Sequence, residues 1–136
     1  MLTHVLDTSA WLAHIFREPG WQVVTELFLD PAADVGISAV SLVEVNSRIK
    51  AVRAGYRYTE VMAGYKELFT NIVAADEAVA NRAIDIRQAA IGRVPSMDAL
   101  IAATAAHHNA VLVHRDPHFR TIPAGQLRQL VLDAPQ

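Results

Sequence analysis

Short apolar runs alternate along the chain with longer segments in which apolar residues recur every three or four positions. The short runs are bounded by turn residues, a pattern typical of buried strands, and lie at 2–6, 34–37, 71–73, 110–113 and 129–132. The longer segments predict helices at 9–16, 21–29, 40–54, 59–69, 77–91 and 97–108. Because helices separate most of the strands, we expect right-handed crossovers and an α/β fold with a central, mainly parallel sheet flanked by helices.

The faces of two predicted helices indicate how they pack. The helix at 40–54 carries an apolar stripe of Leu42, Val45, Ile49 and Val52. The helix at 97–108 is rich in alanine, and small side chains let a helix lie close against a sheet. We therefore expect the stripe to face the core and the helix at 97–108 to be the most buried.

Composition limits the classes of protein to which the chain can belong. Its 136 residues, 52% of them hydrophobic, fit one globular domain over 1–136. The absence of cysteine excludes disulfides and thiolate metal sites and favours the reducing cytoplasm. No apolar stretch is long enough to predict a membrane span or a signal peptide. The formal net charge of −2 argues against nucleic-acid binding by bulk charge alone.

Four acids stand at positions that the predicted layout brings towards one edge of the sheet: Asp7, Glu44, Asp98 and Asp116. Asp7 and Asp116 follow apolar strands, and Asp98 begins a helix that enters from the same edge of the sheet. Glu44 lies on a helix face away from the apolar stripe, so it can point into a cleft. Ligands of open α/β sheets bind at the carboxyl ends of the strands, so these acids are candidates for chemistry.

Each acid also has a purely structural explanation. Asp7 can cap the helix that follows it, and Glu44 can form an ion pair with Arg48 one helical turn later. Asp98 lies in a first helical turn, where a carboxylate complements the helix dipole. Asp116 can form an Asx turn. Individually, therefore, none of these acids requires a functional role.

Together, the acids favour a metal site. Converging carboxylates raise one another's pKa and are stabilised by a cation, and oxygen ligands without cysteine suit Mg²⁺ or Mn²⁺. Such a site supports hydrolysis of a phosphodiester. Five of the six histidines show no convincing ligand spacing. We assign His118 and four others to the surface or to helix ends, and His114 is the one best placed to contact a substrate.

The segments that contain the four acids resemble the successive motifs of PIN domains, particularly of VapC-type toxins. These segments are Val5-Leu6-Asp7-Thr8-Ser9-Ala10, Ser41-Leu42-Val43-Glu44-Val45, Met97-Asp98-Ala99-Leu100-Ile101-Ala102-Ala103-Thr104-Ala105 and Leu112-Val113-His114-Arg115-Asp116-Pro117-His118-Phe119. Their order and spacing match over nearly the whole chain. The resemblance implies a PIN-like fold and a metal-dependent endoribonuclease that a cognate VapB-type antitoxin neutralises.

Carried over by position, the resemblance implies a catalytic site of Asp7, Glu44, Asp98 and Asp116. The ligands of Mg²⁺ or Mn²⁺ would be Asp7, Asp98 and Asp116, of which the first two match the direct ligands best. Thr8 and Ser9 match hydroxyl-bearing positions that would orient the first acid or a metal-bound water, and Arg115 is a candidate contact with RNA. One departure is His114, where the family frequently has Thr or Ser.

The resemblance also implies three partners: an RNA substrate, an antitoxin helix, and a second copy of the chain in a homodimer. The antitoxin helix would lie in a groove near the two helices that contain most of the aromatic residues Trp21, Phe28, Tyr56, Tyr58, Tyr65 and Phe69. An alternative is a PIN-like module that binds RNA and metal with little or no nuclease activity. A haloacid-dehalogenase-like phosphatase is disfavoured, because it requires a second acid where this chain has Ser9. A receiver domain is disfavoured as well, because it requires paired early acids and a later lysine at a strand end.

Overall fold

Five parallel strands form a central sheet in the computed structural model, which describes residues 1–52 and 55–132. The strands are β1 (His4–Leu6), β2 (Val35–Ser38), β3 (Asn71–Val73), β4 (Val111–His114) and β5 (Gln129–Val131), in the order β3-β2-β1-β4-β5. Every neighbouring pair runs parallel, so the carboxyl ends of the strands meet at one edge. The predicted α/β fold with a parallel sheet is confirmed.

Helices flank this sheet. Those of the described residues are α1 (Thr8–Phe16), α2 (Trp21–Leu29), α3 (Ala39–Val52), α4 (Tyr58–Tyr65), α5 (Glu77–Ala89) and α6 (Ser96–His107), with a short 3-10 helix at Pro117–Thr121. Aspartates cap two of them, and one is Asp7, for which the sequence left this role open. Asp7 accepts a hydrogen bond from the Ser9 N–H at the start of α1, and Asp76 accepts one from the Val79 N–H at the start of α5.

Two apolar clusters pack on the opposite faces of the sheet. Because successive residues of a strand point to opposite faces, Val5 packs with α5 and α6 whereas Leu6 packs with α1, α2, α3 and α4. Leu112 and Val113 alternate in the same way on the neighbouring strand β4. Strands β1 and β4 are therefore packed on both faces, which fixes the position of the residues that follow them.

Helix α6 has more buried residues than the other described helices, as its alanine content predicts. They are Ala99, Ile101, Ala102, Ala103, Thr104 and Ala105. The helix packs against β1 and β4, and its first turn lies at the carboxyl edge of these strands. This packing fixes the entry point of α6 relative to both strands.

The apolar stripe predicted for α3 is only partly correct. Val45 and Ile49 are buried, but Leu42 is half-buried and Val52 is 39% exposed. Val45 and Ile49 belong to the apolar cluster that α3 shares with α1, α2 and α4, whereas Val52 is the last residue of the helix and lies outside that cluster of described residues. The predicted end of this helix at residue 54 lies outside the described residues.

Helix α4 ends at Tyr65, so the prediction that it continues to residue 69 is wrong. The N–H groups of Leu68 and Phe69 both turn back to the Tyr65 carbonyl. This turn lets the Phe69 ring pack edge-on against Trp11, with 5.0 Å between the ring centroids. Tertiary packing of the aromatic ring therefore ends the helix earlier than its apolar periodicity indicates. Within residues 1–52 and 55–132, every helix is too short or too polar to span a lipid bilayer.

Candidate metal centre

The carboxyl edge of the central strands gathers three of the predicted acids. Asp7 directly follows β1, and Asp116 follows the neighbouring strand β4 after one intervening residue. Asp98 lies in the first turn of α6, which packs against both strands. The charges of Asp98 and Asp116 both raise the pKa of Asp7, as expected for neighbouring carboxylates.

Asp7 is the buried member of this group, with 2% of its surface exposed. Its Oδ2 accepts hydrogen bonds from the Ser9 N–H at 3.0 Å and from the Ser9 hydroxyl at 2.6 Å. Its Oδ1 is buried and has no hydrogen-bond donor among the described residues. Burial raises the pKa of Asp7 to about 7, although the hydrogen bonds from Ser9 lower it. Oδ2 thus caps α1, whereas Oδ1 receives no hydrogen bond from the described residues.

Asp98 and Asp116 lie nearer to solvent. Their side chains are 15% and 26% exposed. The pKa of Asp98 is raised to about 6, mainly by burial and then by the charges of Asp116 and Glu44. Exposure to solvent therefore increases from Asp7, at the buried floor of the site, to Asp116, at its more open mouth.

His118 stands at this mouth, and its role is one that the sequence interpretation missed. Its Nδ1 lies 3.4 Å from Asp98 Oδ2 and 3.1 Å from Asp116 Oδ1. The three residues each offer one ligand atom, and these atoms lie within 4.8 Å of one another. A signal exists in the sequence: Pro117 favours a tight turn, which folds His118 back over Asp116. His118 is half-exposed on a short helix, as expected, but it belongs to the acidic group.

Glu44 lies at the rim of the acids, held by Thr8. The Thr8 hydroxyl donates a hydrogen bond to Glu44 Oε1 at 2.5 Å and lies 3.1 Å from the Ser41 hydroxyl. The charge of Glu44 raises the pKa of Asp98, so the two carboxylates interact through space. Neither Glu44 nor Asp7 belongs to the group of ligand atoms formed by Asp98, Asp116 and His118.

Ser9 and Arg115 connect α1 to the segment after β4. The Ser9 hydroxyl donates to Asp7 Oδ2 and accepts a hydrogen bond from the Arg115 N–H at 3.0 Å. The Arg115 guanidinium donates to the Pro19 carbonyl at 3.2 Å and lies 3.8 Å from Glu18 Oε1. Ser9 therefore links Asp7 to the segment that carries Asp116.

His114 is completely buried beneath this segment. Its Nδ1 accepts a hydrogen bond from the Asp116 N–H at 3.1 Å, so Nε2 carries the proton and donates to Gln129 Oε1 at 2.7 Å. Burial lowers the pKa of His114, which favours this neutral form. Both ring nitrogens are thus occupied within the fold, and the side chain orients Asp116 instead of reaching a substrate.

The donor set suits a hard divalent cation. An uncompensated buried carboxylate oxygen lies beside further carboxylates, and oxygen ligands of this kind are those preferred by Mg²⁺ and Mn²⁺. The raised pKa values of Asp7 and Asp98 show that the acids resist ionisation when no cation is bound. A divalent cation would offset both causes of the raised pKa values, the burial of the carboxylates and the repulsion between them.

Residues 4–125 match the family model of the PIN domain. The matched range contains all four predicted acids and His118. No curated protein matches the sequence significantly.

Several solved structures share the fold. VapBC2 from Rickettsia felis, bound to a DNA fragment from their promoter, is 19% identical with a TM-score of 0.79, and the match covers 97% of this chain and 100% of that one. DNA-bound VapBC from Salmonella typhimurium is 23% identical with a TM-score of 0.78, covering 97% and 99%. FitAcB from Neisseria gonorrhoeae is 24% identical with a TM-score of 0.74, covering 98% and 100%. At these identities the likeness is one of fold.

Proposed function

Because the chain belongs to the PIN domain family, we propose that it is a Mg²⁺- or Mn²⁺-dependent endoribonuclease and the cytoplasmic toxin of a VapBC toxin–antitoxin pair. The observation that carries the proposal is the buried Asp7 carboxylate, whose Oδ1 lacks a donor among the described residues and whose pKa is raised partly by two neighbouring acids. A buried, uncompensated carboxylate destabilises a fold unless a cation is bound. The fold shared with solved VapBC complexes supports the toxin assignment.

The proposed metal ligands are Asp7, Asp98 and Asp116. A divalent cation held by these residues would polarise the phosphodiester and lower the pKa of the attacking water. Asp7 is held in a single orientation by the two hydrogen bonds from Ser9, which prepares its Oδ1 for binding. The more exposed Asp98 and Asp116 line the mouth, where an RNA phosphate can approach.

Glu44 is the proposed acceptor of the proton from the attacking water. Its Oε1 accepts the hydrogen bond from Thr8, so we assign Oε2 to the proton. Thr8 thereby orients Glu44, as Ser9 orients Asp7. Arg115 is the proposed contact with an RNA phosphate, because its backbone adjoins Asp116 and a guanidinium suits phosphate oxygens.

A groove beside α4 and β3 is the proposed site of the antitoxin. It encloses about 400 Å³ and is lined by Tyr58, Thr59, Met62, Ala63, Lys66 and Ile72. Ile72 is 44% exposed there, on the edge strand of the sheet. The apolar face of a VapB-type helix is the kind of ligand that such a groove accommodates.

The homodimer is also part of the proposal, and sedimentation equilibrium of the purified protein tests it.

Cleavage of labelled single-stranded RNA by the purified protein tests the enzymatic proposal. We expect cleavage with Mg²⁺ or Mn²⁺, loss of cleavage in EDTA, and recovery with excess metal. The Asp7→Asn variant, purified in parallel, controls for contaminating ribonucleases. Binding of RNA and metal without any cleavage would overturn the nuclease proposal in favour of the non-catalytic PIN-like module.

A further inference from the structure

We infer that His118 is a nitrogen ligand of the divalent cation, in addition to the carboxylates of Asp98 and Asp116. The inference rests on the proposed metal site and adds to it a residue that is not an acid. His118 Nδ1 lies 3.4 Å from Asp98 Oδ2 and 3.1 Å from Asp116 Oδ1. Adjacent ligand atoms of an octahedron with bonds of about 2.1 Å are about 3.0 Å apart. Both distances from Nδ1 are close to this spacing, and the ligand atoms of the three residues all lie within 4.8 Å of one another.

The fold holds the backbone that carries the imidazole. Asp116 Oδ1 accepts a hydrogen bond from the His118 N–H at 2.9 Å, which closes the start of the 3-10 helix. The next residue, Phe119, is completely buried and packs against His114, with 4.8 Å between the ring centroids. The backbone of His118 is thus fixed between a capping bond and a buried anchor.

The buried floor of the site provides an independent sign of a cation. Asp7 is 2% exposed, and its Oδ1 has no donor among the described residues. His118, with a side chain that is 50% exposed, lies at the opposite, solvent-facing end of the acids. A cation held by Asp98, Asp116 and His118 would offset the charge of the neighbouring Asp7 carboxylate.

A nitrogen ligand changes which metal the site prefers. Mg²⁺ takes oxygen ligands and keeps several waters, whereas imidazole suits transition-metal ions. We therefore expect His118 to strengthen binding of Mn²⁺ more than binding of Mg²⁺. Loss of outer-shell partners alone commonly lowers metal affinity about 10- to 100-fold, so loss of a direct ligand should weaken Mn²⁺ binding by at least about tenfold.

Pulsed electron paramagnetic resonance of the full chain loaded with Mn²⁺ tests the inference directly. We expect a ¹⁴N coupling in the parent protein that is lost in His118→Ala and in His118→Asn. The Asn side chain keeps a neutral oxygen as far from the backbone as Nδ1, so His118→Asn should retain Mg²⁺ binding. His107→Ala is the matched control, because His107 ends α6 at the far end from Asp98 and should keep the coupling.

Calorimetric titration of the same proteins with Mn²⁺ and Mg²⁺ completes the test. The inference is supported if His118→Ala loses at least about tenfold in Mn²⁺ affinity while Mg²⁺ affinity changes less. Parent protein that binds Mn²⁺ without a ¹⁴N coupling, or a coupling that persists in His118→Ala, overturns it. Both readouts are independent of RNA cleavage. Failure of the nuclease proposal with a ¹⁴N coupling intact would therefore leave the ligand assignment standing.

Discussion

Burial of the Asp7 carboxylate makes the stability of the metal-free protein depend on pH. Its pKa is raised from the ordinary 3.8 to about 7 in the folded state, mainly by burial, and that of Asp98 is raised to about 6. Below about pH 4, Asp7 is protonated in both states and carries no penalty. As the pH rises to about 7, the unfolded state releases its proton first, so the free energy of unfolding falls. Urea unfolding in EDTA across this range measures the fall.

The Asp7→Asn variant should remove most of this dependence. Asparagine still caps a helix but carries no charge. At about pH 8, we expect the free energy of unfolding of the metal-free variant to be higher than that of the parent by up to about 4 kcal/mol. This is the free energy that corresponds to the raised pKa of Asp7. Asp85→Asn, on the exposed face of α5, should keep the slope of the parent. A variant that is less stable than the parent at this pH would show that the fold stabilises the Asp7 charge, which contradicts the proposed site.

Asp98→Asn should abolish RNA cleavage while the fold is retained. The amide keeps the shape of the side chain but weakens its hold on a cation, so we expect cleavage to fall at least about 100-fold, roughly 3 kcal/mol of transition-state stabilisation. Loss of a helix-dipole interaction alone would cost about 0.3–1 kcal/mol of stability and leave catalysis unchanged. Single-turnover cleavage at saturating Mn²⁺ distinguishes the two. Activity within about tenfold of the parent, with Asp85→Asn as control, would exclude Asp98 from the metal site.

The predictability of individual residues differs within the site. For Asp7, the sequence left open a helix cap and a functional acid, and the structure shows the cap on one oxygen and an unsatisfied second oxygen. His118 could not be found from ligand spacing, because two residues so close in sequence face each other only where the backbone turns tightly. The role of His114 depends on Gln129, which a later strand brings beside it.

At the scale of the elements, two glycines test the packing of the sheet and of a helix. Gly36 is buried in β2, where a Cβ would lie 2.8 Å from the backbone oxygen of Asn71 on β3. Gly64 lies in α4, where a Cβ would meet no described atom within 4 Å. We expect Gly36→Ala to destabilise the protein by about 1–3 kcal/mol, because β3 must shift. Gly64→Ala should instead stabilise it by about 0.5–1 kcal/mol.

Chemical unfolding of the two alanine variants measures both changes. Equal stabilities would contradict the close approach of β2 and β3. The contrast is informative because both variants add the same methyl group, so any difference between them reflects the surroundings.

Apolar periodicity predicted most of the strands and helices, since each buried run or stripe reflects one packed face. It failed where a distant contact decides the end of an element. Phe69 follows the end of α4 and packs against Trp11 of α1. Val52 continues the stripe of α3 but is the last residue of the helix and is 39% exposed. Local sequence contains neither the position of the partner ring nor the extent of the packed cluster.

For the whole molecule, the toxin proposal predicts arrest of growth. Expression of the chain without a partner should stop cell growth, and co-expression of a small neighbouring VapB-type protein should relieve the arrest. The Asp98→Asn variant should be harmless at the same level of expression, because it lacks cleavage but keeps the fold. Plating efficiency with and without induction measures the effect. Harmless accumulation of folded, soluble parent protein would contradict the toxin assignment.

The central place of β1 in the sheet determines when the site can assemble during synthesis. β1 pairs with β2 on one side and with β4 on the other, and His4 lies opposite Val111 in that second pairing. A ribosome that elongates at roughly 5–20 residues per second needs several seconds to pass from the first strand to the fourth. Once Asp98 has been added, late in that interval, the nascent chain carries three of its four acids but still lacks the strand that positions the last one. We therefore expect nuclease activity to arise late in translation, after most of the polypeptide has left the exit tunnel.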